Sequence, residues 1–215
     1  MTDIGEMTDT DATIDRQAVL AHIKAYSVKV AQPGREFDLA SGGKSRLYVD
    51  AKRTYFHRDM HRPLAALIHR EVQQFGHAEA VAGVALGGCH LASIVAAHAG
   101  GGNYNVIYVR KVPKDHGTKN LVEHAWCRFG EWVVLLEDVV STGQSSALAV
   151  QALRSDGFDV RGIVTVIDRR PPASRTSSVD GVGIRHLFGL EDLGIDPDVA
   201  AILSPTHESV RGTGR

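Results

Sequence analysis

Residues 133–145 read VVLLEDVVSTGQS, and this stretch predicts both the fold and the site. Four apolar residues at 133–136 lead into two acids, Glu137 and Asp138. An apolar run of this length, bounded by polar residues, is typical of a strand buried on both faces of a parallel sheet. The acids are then expected at the carboxyl end of the strand, where open α/β sheets bind their ligands.

A small polar loop, Ser141 to Ser145, follows the strand and leads into a helical pattern at 144–156. Hydroxyls and backbone N–H groups at the start of a helix hold phosphate well, and adjacent carboxylates accept hydrogen bonds from ribose hydroxyls. The segment therefore indicates a sugar phosphate. The loop contains no lysine and no GxGxxG, so it is neither a Walker loop nor a dinucleotide fingerprint. The alternative is a strand that ends in a solvated acidic turn with a helix N-cap.

The rest of the chain alternates buried strands with helices. Strands are predicted at 80–86, 106–110, 132–140 and 162–167, and helices at 14–27, 58–75, 91–98 and 144–156. This alternation predicts an α/β fold with a mostly parallel central sheet flanked by helices. Residues 28–53 have an antiparallel character, and we assign them with 184–200 to a small hood lobe above the sheet. We expect residues 1–13 to be disordered, 14–205 to form one domain and 206–215 to be a loose tail.

Composition excludes several classes of protein. The chain has 215 residues, 43% of them hydrophobic, and a net charge of −1, which gives no overall attraction to nucleic acid or membranes. It has two cysteines without CxxC spacing, so neither a disulfide framework nor a zinc site is expected. No apolar run approaches the roughly 18 residues of a membrane span, and the amino terminus has no signal-peptide pattern. We expect a cytoplasmic protein.

Two further loops leave predicted strand ends. Gly87, Gly88, Cys89 and His90 form the first, in which the glycines allow the backbone to approach an anion closely. An ordinary tight turn is the alternative. The second loop is basic, and its cations are Arg110, Lys111, Lys114, His116 and Lys119. It is longer than a plain connection needs, and such a loop can neutralise a departing polyanion. A solvated surface loop is the alternative here.

These segments resemble a known family. LLEDVVSTG resembles the signature with which type I phosphoribosyltransferases bind 5-phospho-α-D-ribosyl 1-diphosphate (PRPP). RKVPKDHGTKNLVE resembles the catalytic loop of the orotate phosphoribosyltransferases, and FDLASGGKSRLYVD resembles their amino-terminal segment. VALGGCHLA resembles their pyrophosphate loop. The resemblance covers about residues 37–170 and implies transfer of the phosphoribosyl group from PRPP to orotate in pyrimidine biosynthesis.

The resemblance also implies a role for each matched residue. Catalytic roles fall to Lys111, Lys114, His116 and Asp138. Binding of PRPP falls to Gly87, Gly88, Arg110, Lys111, Lys114, His116, Glu137, Asp138, Val139, Val140, Ser141, Thr142, Gly143, Gln144 and Ser145. Binding of orotate falls to Ser141, Arg169 and Tyr48. Mg²⁺ is expected as a cofactor held through PRPP, with no direct protein ligand. A homodimer that shares the basic loop is expected as well.

Two positions depart from the family pattern. Many members have a lysine where this chain has Ala40, and many have a lysine in the pyrophosphate loop where it has Gly87. Lys44 and His90 lie nearby in sequence and are candidates to compensate. Two alternatives stay open: a type I phosphoribosyltransferase for another base, and a non-catalytic regulator that binds PRPP. An intact basic loop favours an enzyme over a regulator.

Overall fold

The structure is a computed structural model that describes residues 9–39, 43–98, 104–112 and 120–201. Its amino-terminal part contains α1 (Asp9–His22), β1 (Val28–Val30), β2 (Phe37–Asp38), β3 (Lys44–Ser45), β4 (Leu47–Val49) and the short helix α2 (Lys52–Tyr55). The strand β1 pairs with β4, and β2 pairs with β3, both antiparallel. These two small sheets form the hood.

The main layer follows in chain order. Its elements are α3 (His61–Gln73), β5 (Ala80–Val84), α4 (Gly87–His98), β6 (Asn105–Val109), β7 (Val122–Glu123), β8 (Trp132–Val140), α5 (Gln144–Ser155), β9 (Asp159–Asp168), β10 (Ser178–Val179), β11 (Val182–Gly189), α6 (Leu190–Leu193) and α7 (Pro197–Ala200). The predicted α/β fold with a mostly parallel sheet is confirmed. The strand predicted at 132–140 has those limits in the structure.

The strand order defines where a ligand can bind. The seven-stranded sheet runs β10-β11-β9-β8-β5-β6-β7, in which the five strands from β11 to β6 are parallel to one another and the two edge strands are antiparallel. The chain leaves β5 toward β6 on one side, and it later adds β8 on the other side. The switch point therefore lies between β5 and β8, and the crevice above their carboxyl ends is the expected site.

The central strand β8 is buried because its apolar side chains serve both faces of the sheet. Val134 and Leu136 pack with α1, α3 and α4, whereas Val133 and Leu135 pack against α5 on the opposite face. All four are fully buried. A strand covered on both sides has no polar face, which explains the uninterrupted apolar run in the sequence. Within the described ranges, no helix is both long and apolar enough to cross a membrane.

The hood boundary predicted at residue 184 is wrong. Residues 184–189 belong to β11, which lies in the main sheet and pairs in parallel with β9. The chain joins the hood only afterwards, where Leu190 and Ala200 pack against Leu47 in a small cluster. The first half of β11 mixes buried and partly exposed residues, as an edge or hood strand does. Its pairing with β9 places it in the main sheet, and this long-range pairing could not be predicted from the sequence.

Other boundaries also shift. The predicted loop from Gly87 to His90 is the first turn of α4, because the helix starts three residues after β5. The helix α1 starts at Asp9, so the disorder predicted for residues 1–13 does not hold for 9–13. Residues 1–8 and the tail 206–215 lie outside the described residues. The basic loop ends in an edge strand, β7, which pairs antiparallel with β6.

Candidate active site

The two acids at the end of β8 differ in their surroundings. The Glu137 side chain is buried, with 5% of the residue exposed, and the Ser146 hydroxyl donates a hydrogen bond to its Oε1 atom at 3.1 Å. Burial and the neighbouring charge of Asp138 raise the pKa of Glu137 to about 8, although Ser146 and Lys111 act in the opposite direction. A pKa of about 8 favours the neutral form of Glu137 at pH 7 in the free protein.

Asp138 is half-buried, and each of its two carboxylate oxygens accepts a hydrogen bond that orients it. The Tyr55 hydroxyl donates to Oδ2 at 3.2 Å, and the backbone N–H of Val139 donates to Oδ1 at 2.9 Å. Because a carboxylate accepts about four hydrogen bonds, each oxygen keeps a lone pair for a ligand. Asp138 is thus the carboxylate of the pair that faces the crevice.

Gly87 and Gly88 bring the first turn of α4 against the acidic strand. A Cβ atom at Gly88 would lie 2.3 Å from the Leu136 carbonyl oxygen, and one at Gly87 would lie 2.1 Å from Asp138 Oδ2. The neighbours at Gly88 are backbone atoms, so only glycine fits there, whereas at Gly87 the neighbours are the side chains of Asp138 and Tyr55, which would have to move. The peptide bond between Ala85 and Leu86, just before this turn, is cis. The amino terminus of a 12-residue helix consequently stands beside Asp138, with backbone N–H groups suited to a phosphate.

The loop after β8 forms a second helix start. Gly143 precedes α5 with a φ of +82°, a left-handed conformation that favours glycine. Thr142 accepts a hydrogen bond from the Gln144 N–H at 3.3 Å through its hydroxyl. Thr142, Gln144 and Ser145 are exposed. Exposed hydroxyls and N–H groups at the start of a helix are suited to a phosphate, so phosphate binding at this loop stays a prediction.

Arg169 follows β9, the neighbour of β8, and its N–H donates to the Val140 carbonyl at 2.9 Å. It therefore lies next to Ser141, the other residue predicted to bind orotate. Its side chain is buried under the hood, where Nη2 donates to Ser45 Oγ at 2.9 Å and to the Ala200 carbonyl at 3.1 Å. Its Nε atom is buried without a hydrogen-bond partner.

The charge of Arg169 is also uncompensated. Burial lowers its pKa, and no carboxylate of the described residues forms an ion pair with it. Arg170 contrasts with it, because its guanidinium forms a fork on the Asp168 carboxylate at 3.0 and 2.7 Å. Two successive arginines thus have different roles: Arg170 is tied to its own strand end, and Arg169 holds a free positive charge under the hood.

The basic loop is only partly described. Arg110 forms an ion pair with Glu123 of β7, so this cation already has a partner. Lys111 is exposed, and its charge acts on Glu137 and lowers the pKa of that acid. Lys114 and His116 lie outside the described residues, as does Ala40.

Lys44 and His90, the candidates to compensate for the missing lysines, each contact other groups. Lys44 lies 3.9 Å from Asp38 in the hood, and His90 stacks on Tyr55 and contacts the Tyr55 carbonyl at 3.2 Å. The structure instead offers Lys52, whose Nζ atom is 2.7 Å from Asp50 Oδ1. Asp50, then Asp138 and Tyr48, raise the pKa of Lys52.

The aromatic residue predicted to face the base, Tyr48, lies on β4 of the hood beside Phe37, with ring centroids 5.5 Å apart. It is 37% exposed, so its ring is open to a ligand. Both Tyr48 and Asp138 contribute to the raised pKa of Lys52, so this lysine lies within electrostatic reach of the hood aromatic and of the acid at the end of β8. Neither Lys52 nor Tyr55 belongs to a sequence motif, so sequence reasoning missed both.

Within the described part of the chain, no three His, Cys, Asp or Glu side chains are grouped so that they could hold a metal ion. Asp138 is the carboxylate at the crevice. A single carboxylate suits Mg²⁺, which keeps most of its ligands from substrate phosphates and water.

The comparisons with known proteins agree on one family. A scan against models of protein families matches none of them. The chain is 32% identical over 190 residues to an orotate phosphoribosyltransferase of Corynebacterium glutamicum, which covers 88% of this chain and 100% of that protein. It is 41% identical over 143 residues to an orotate phosphoribosyltransferase of Phocaeicola vulgatus, covering 66% of this chain and 65% of that one.

Solved structures are similar as well. An orotate phosphoribosyltransferase of Mycobacterium tuberculosis, crystallised in complex with PRPP, superposes with a TM-score of 0.66 at 29% identity. The alignment covers 84% of this chain and 99% of that protein. The similarity therefore extends over most of this chain.

Proposed function

The chain belongs to the orotate phosphoribosyltransferase family, and from this premise we infer its reaction. It transfers the phosphoribosyl group from PRPP to orotate, giving orotidine 5′-phosphate and pyrophosphate in the de novo synthesis of UMP. It is accordingly a pentosyltransferase. The roles of individual residues below are our proposals.

One observation carries the acceptor assignment. Arg169 is a buried cation whose Nε is unpartnered, and it lies one residue past the strand next to Ser141. A buried charge without a counterion is costly, and a guanidinium fork matches a carboxylate in shape. Orotate is a pyrimidine that carries a carboxylate, so its binding would supply the missing anion. A base without a carboxylate would leave Arg169 uncompensated.

PRPP is proposed to lie across the switch point. Its 5′-phosphate would bind at the start of α5, on Ser141, Thr142, Gly143, Gln144 and Ser145. Asp138 would accept hydrogen bonds from the ribose hydroxyls. Glu137, neutral in the free protein, would lie beside Asp138 without adding a second negative charge. Two adjacent carboxylates would otherwise repel each other.

Pyrophosphate would leave toward α4 and the basic loop. The backbone N–H groups of Gly87 and Gly88 face that side, and Lys111 brings a cation near the acids. We assign Lys114 and His116 to the same departing group. As the bond to C1′ of the ribose loosens, these positive groups stabilise the growing charge, and N1 of orotate then captures C1′. No covalent enzyme intermediate is required. Cys89 is a neutral thiol, because burial raises its pKa to about 11.

We propose that Mg²⁺ would be held through PRPP without a direct protein ligand, and that Asp138 would be the carboxylate available on the ribose side. When bound, the ion would neutralise part of the pyrophosphate charge. The cytoplasmic location inferred from the sequence stays a prediction.

A homodimer is proposed because exposed apolar side chains flank the site. Phe56 is 66% exposed and Leu86 is 82% exposed, and a second subunit that shares its basic loop would cover such groups. Mixing Lys114→Ala and Asp138→Asn proteins tests this. If the loop is shared, mixed dimers contain one intact site and regain activity that neither variant has alone. Mixtures that stay inactive would refute the shared loop.

The acceptor assignment is tested with Arg169→Met, using loss of orotate absorbance with PRPP and Mg²⁺. We expect the KM for orotate to rise at least about 100-fold, since a buried charged pair loses its partner, while PRPP still binds in calorimetry. Arg161→Met is the matched control, because Arg161 stacks on Trp132 at the amino-terminal ends of β9 and β8, away from the carboxyl ends that form the site. If the wild-type protein binds PRPP but leaves orotate unchanged, the acceptor is wrong.

A further inference from the structure

The short helix α2 contributes a side chain that no motif predicts. Tyr55 ends this helix and is fully buried, although it stands next to the crevice. Its hydroxyl donates to Asp138 Oδ2 at 3.2 Å, across 83 residues of sequence. Helix α2 therefore connects the hood directly to the carboxylate that faces the ribose site.

The Tyr55 hydroxyl occupies space that a side chain at position 87 would need. A Cβ atom on Gly87 would lie 2.1 Å from Asp138 Oδ2 and 2.7 Å from the Tyr55 oxygen. The absence of a side chain at 87 and the presence of a tyrosine at 55 are thus complementary. A neutral hydroxyl takes the place beside Asp138 where many family members carry a lysine.

The ring of Tyr55 is held rigidly. It stacks on His90 with centroids 5.2 Å apart and planes inclined by 26°, and Phe56 packs edge-on against it. His90 Nε2 also contacts the Tyr55 carbonyl at 3.2 Å. A side chain fixed by stacking on one face loses little entropy when its hydroxyl makes a hydrogen bond, so it can orient a partner effectively.

We propose that Tyr55 is a positioning residue that fixes the plane of the Asp138 carboxylate for the ribose hydroxyls of PRPP. The Tyr55 hydroxyl holds Oδ2 and the Val139 N–H holds Oδ1, so the free lone pairs point in one defined direction. The proposal rests on the assignment of Asp138 to the ribose. It adds a residue from outside the family motifs to that site.

Tyr55 can donate this bond at any pH at which the protein is folded. Burial and the charge of Asp138 raise the pKa of the Tyr55 hydroxyl well above its usual value. The hydroxyl therefore stays protonated and remains a donor.

The test is Tyr55→Phe, which removes the hydroxyl and keeps the ring on His90. Hydrogen bonds to charged groups contribute more than neutral ones, so we expect the Kd for PRPP to rise about tenfold. The KM for orotate at saturating PRPP should stay within about twofold, because the acceptor contacts are unchanged. Calorimetry with PRPP and Mg²⁺ and steady-state kinetics give these values.

Tyr104→Phe is the matched control. The Tyr104 hydroxyl also makes a hydrogen bond inside the protein, to His69 Nδ1 at 2.7 Å, and it lies at the opposite end of β6 from the crevice. Both variants lose one tyrosine hydroxyl bond, and their melting temperatures show what each bond contributes to the fold. Only Tyr55→Phe should weaken PRPP binding. Equal PRPP affinity in Tyr55→Phe, Tyr104→Phe and the wild type would overturn the proposal.

A double-mutant cycle separates positioning from a general structural effect. Tyr55→Phe is combined with Asp138→Asn, and we expect the double variant to bind PRPP about as weakly as Asp138→Asn alone. Effects that simply multiply would show that Tyr55 acts independently of Asp138, which refutes the proposal. If the wild-type protein itself does not bind PRPP, the proposed function fails instead, so the two failures are distinguishable.

Discussion

Replacing Glu137 with Gln isolates the buried acid at the end of the central strand. The pKa of Glu137 rises from 4.5 to about 8 because the carboxyl is buried beside Asp138. Between these two values, the folded protein keeps the proton and the unfolded chain loses it. The folded state thus binds more protons, and the free energy of unfolding falls as pH rises from about 4.5 to about 8.

The magnitude follows from that difference. At about 1.4 kcal/mol for each pH unit in this window, Glu137 lowers the free energy of unfolding by on the order of 4 kcal/mol between pH 5 and pH 9. Glutamine has nearly the same shape, and its amide oxygen can still accept the Ser146 hydrogen bond. It carries no proton that ionises. The Glu137→Gln protein should therefore lose this part of the pH dependence and become the more stable of the two at pH 9.

Urea unfolding at pH 5 to 9 measures the effect. Glu36→Gln is the control, because it removes an exposed carboxyl from the hood by the same substitution. We expect the control to follow the wild-type curve and Glu137→Gln to flatten it. If the Glu137→Gln curve runs parallel to the wild-type curve, Glu137 is ionised in the folded protein at neutral pH, and the division of roles between the two acids is refuted.

Three further predictions concern the walls of the site. Gly88→Ala should destabilise the fold by about 3 kcal/mol in urea unfolding, because its Cβ would lie 2.3 Å from a backbone carbonyl of β8; an unchanged midpoint would contradict this. Ser45→Ala removes one partner of Arg169, so we expect an orotate KM several-fold higher with PRPP affinity unchanged, and equal losses for both substrates would argue against it. Both terminal nitrogens of Arg175 donate hydrogen bonds to the Glu191 carboxylate and lower its pKa to about 2. The stabilisation of the folded state by this pair is therefore present above pH 4.5 and is lost as pH falls toward 2. Glu191→Gln should flatten that acid limb by less than about 1 kcal/mol because the carboxylate is half-exposed, and an unaltered limb in acid unfolding would contradict it.

Much of the fold could be predicted from the sequence of one strand, β8. The apolar run of β8 predicted burial on both faces, and its acids predicted a ligand at the carboxyl end, because these properties depend on local sequence. The place of β11 was not readable. A strand's neighbour is chosen by long-range pairing, and residues 184–189 carry no local signal that favours the main sheet over the hood.

The site residues also fall into two groups, those that local sequence predicts and those whose contacts depend on long-range packing. The two helix starts proposed to bind phosphate are encoded by glycines and hydroxyls that are close together in sequence, at Gly87–Gly88 and Ser141–Ser145. The contact of Tyr55 with Asp138 joins residues 83 positions apart, on helices and strands whose packing sequence alone does not specify. The uncompensated charge of Arg169 could not be predicted from the sequence either, because it depends on which carboxylates lie near Arg169 in the folded chain.

The difference between Glu137 and Asp138 shows why adjacency in a motif does not determine equal roles. Successive residues of a strand point to opposite faces, so Glu137 is directed inward to Ser146 and Asp138 toward Tyr55 and the crevice. Burial keeps the first acid neutral, which removes the repulsion that two neighbouring carboxylates would otherwise suffer. Under the proposed roles, one negative charge would remain to bind the ribose hydroxyls, and the buried positive charge of Arg169 would bind the carboxylate of orotate. The motif specifies the residues, and the alternation of the strand gives the two acids different partners, Ser146 for Glu137 and Tyr55 for Asp138.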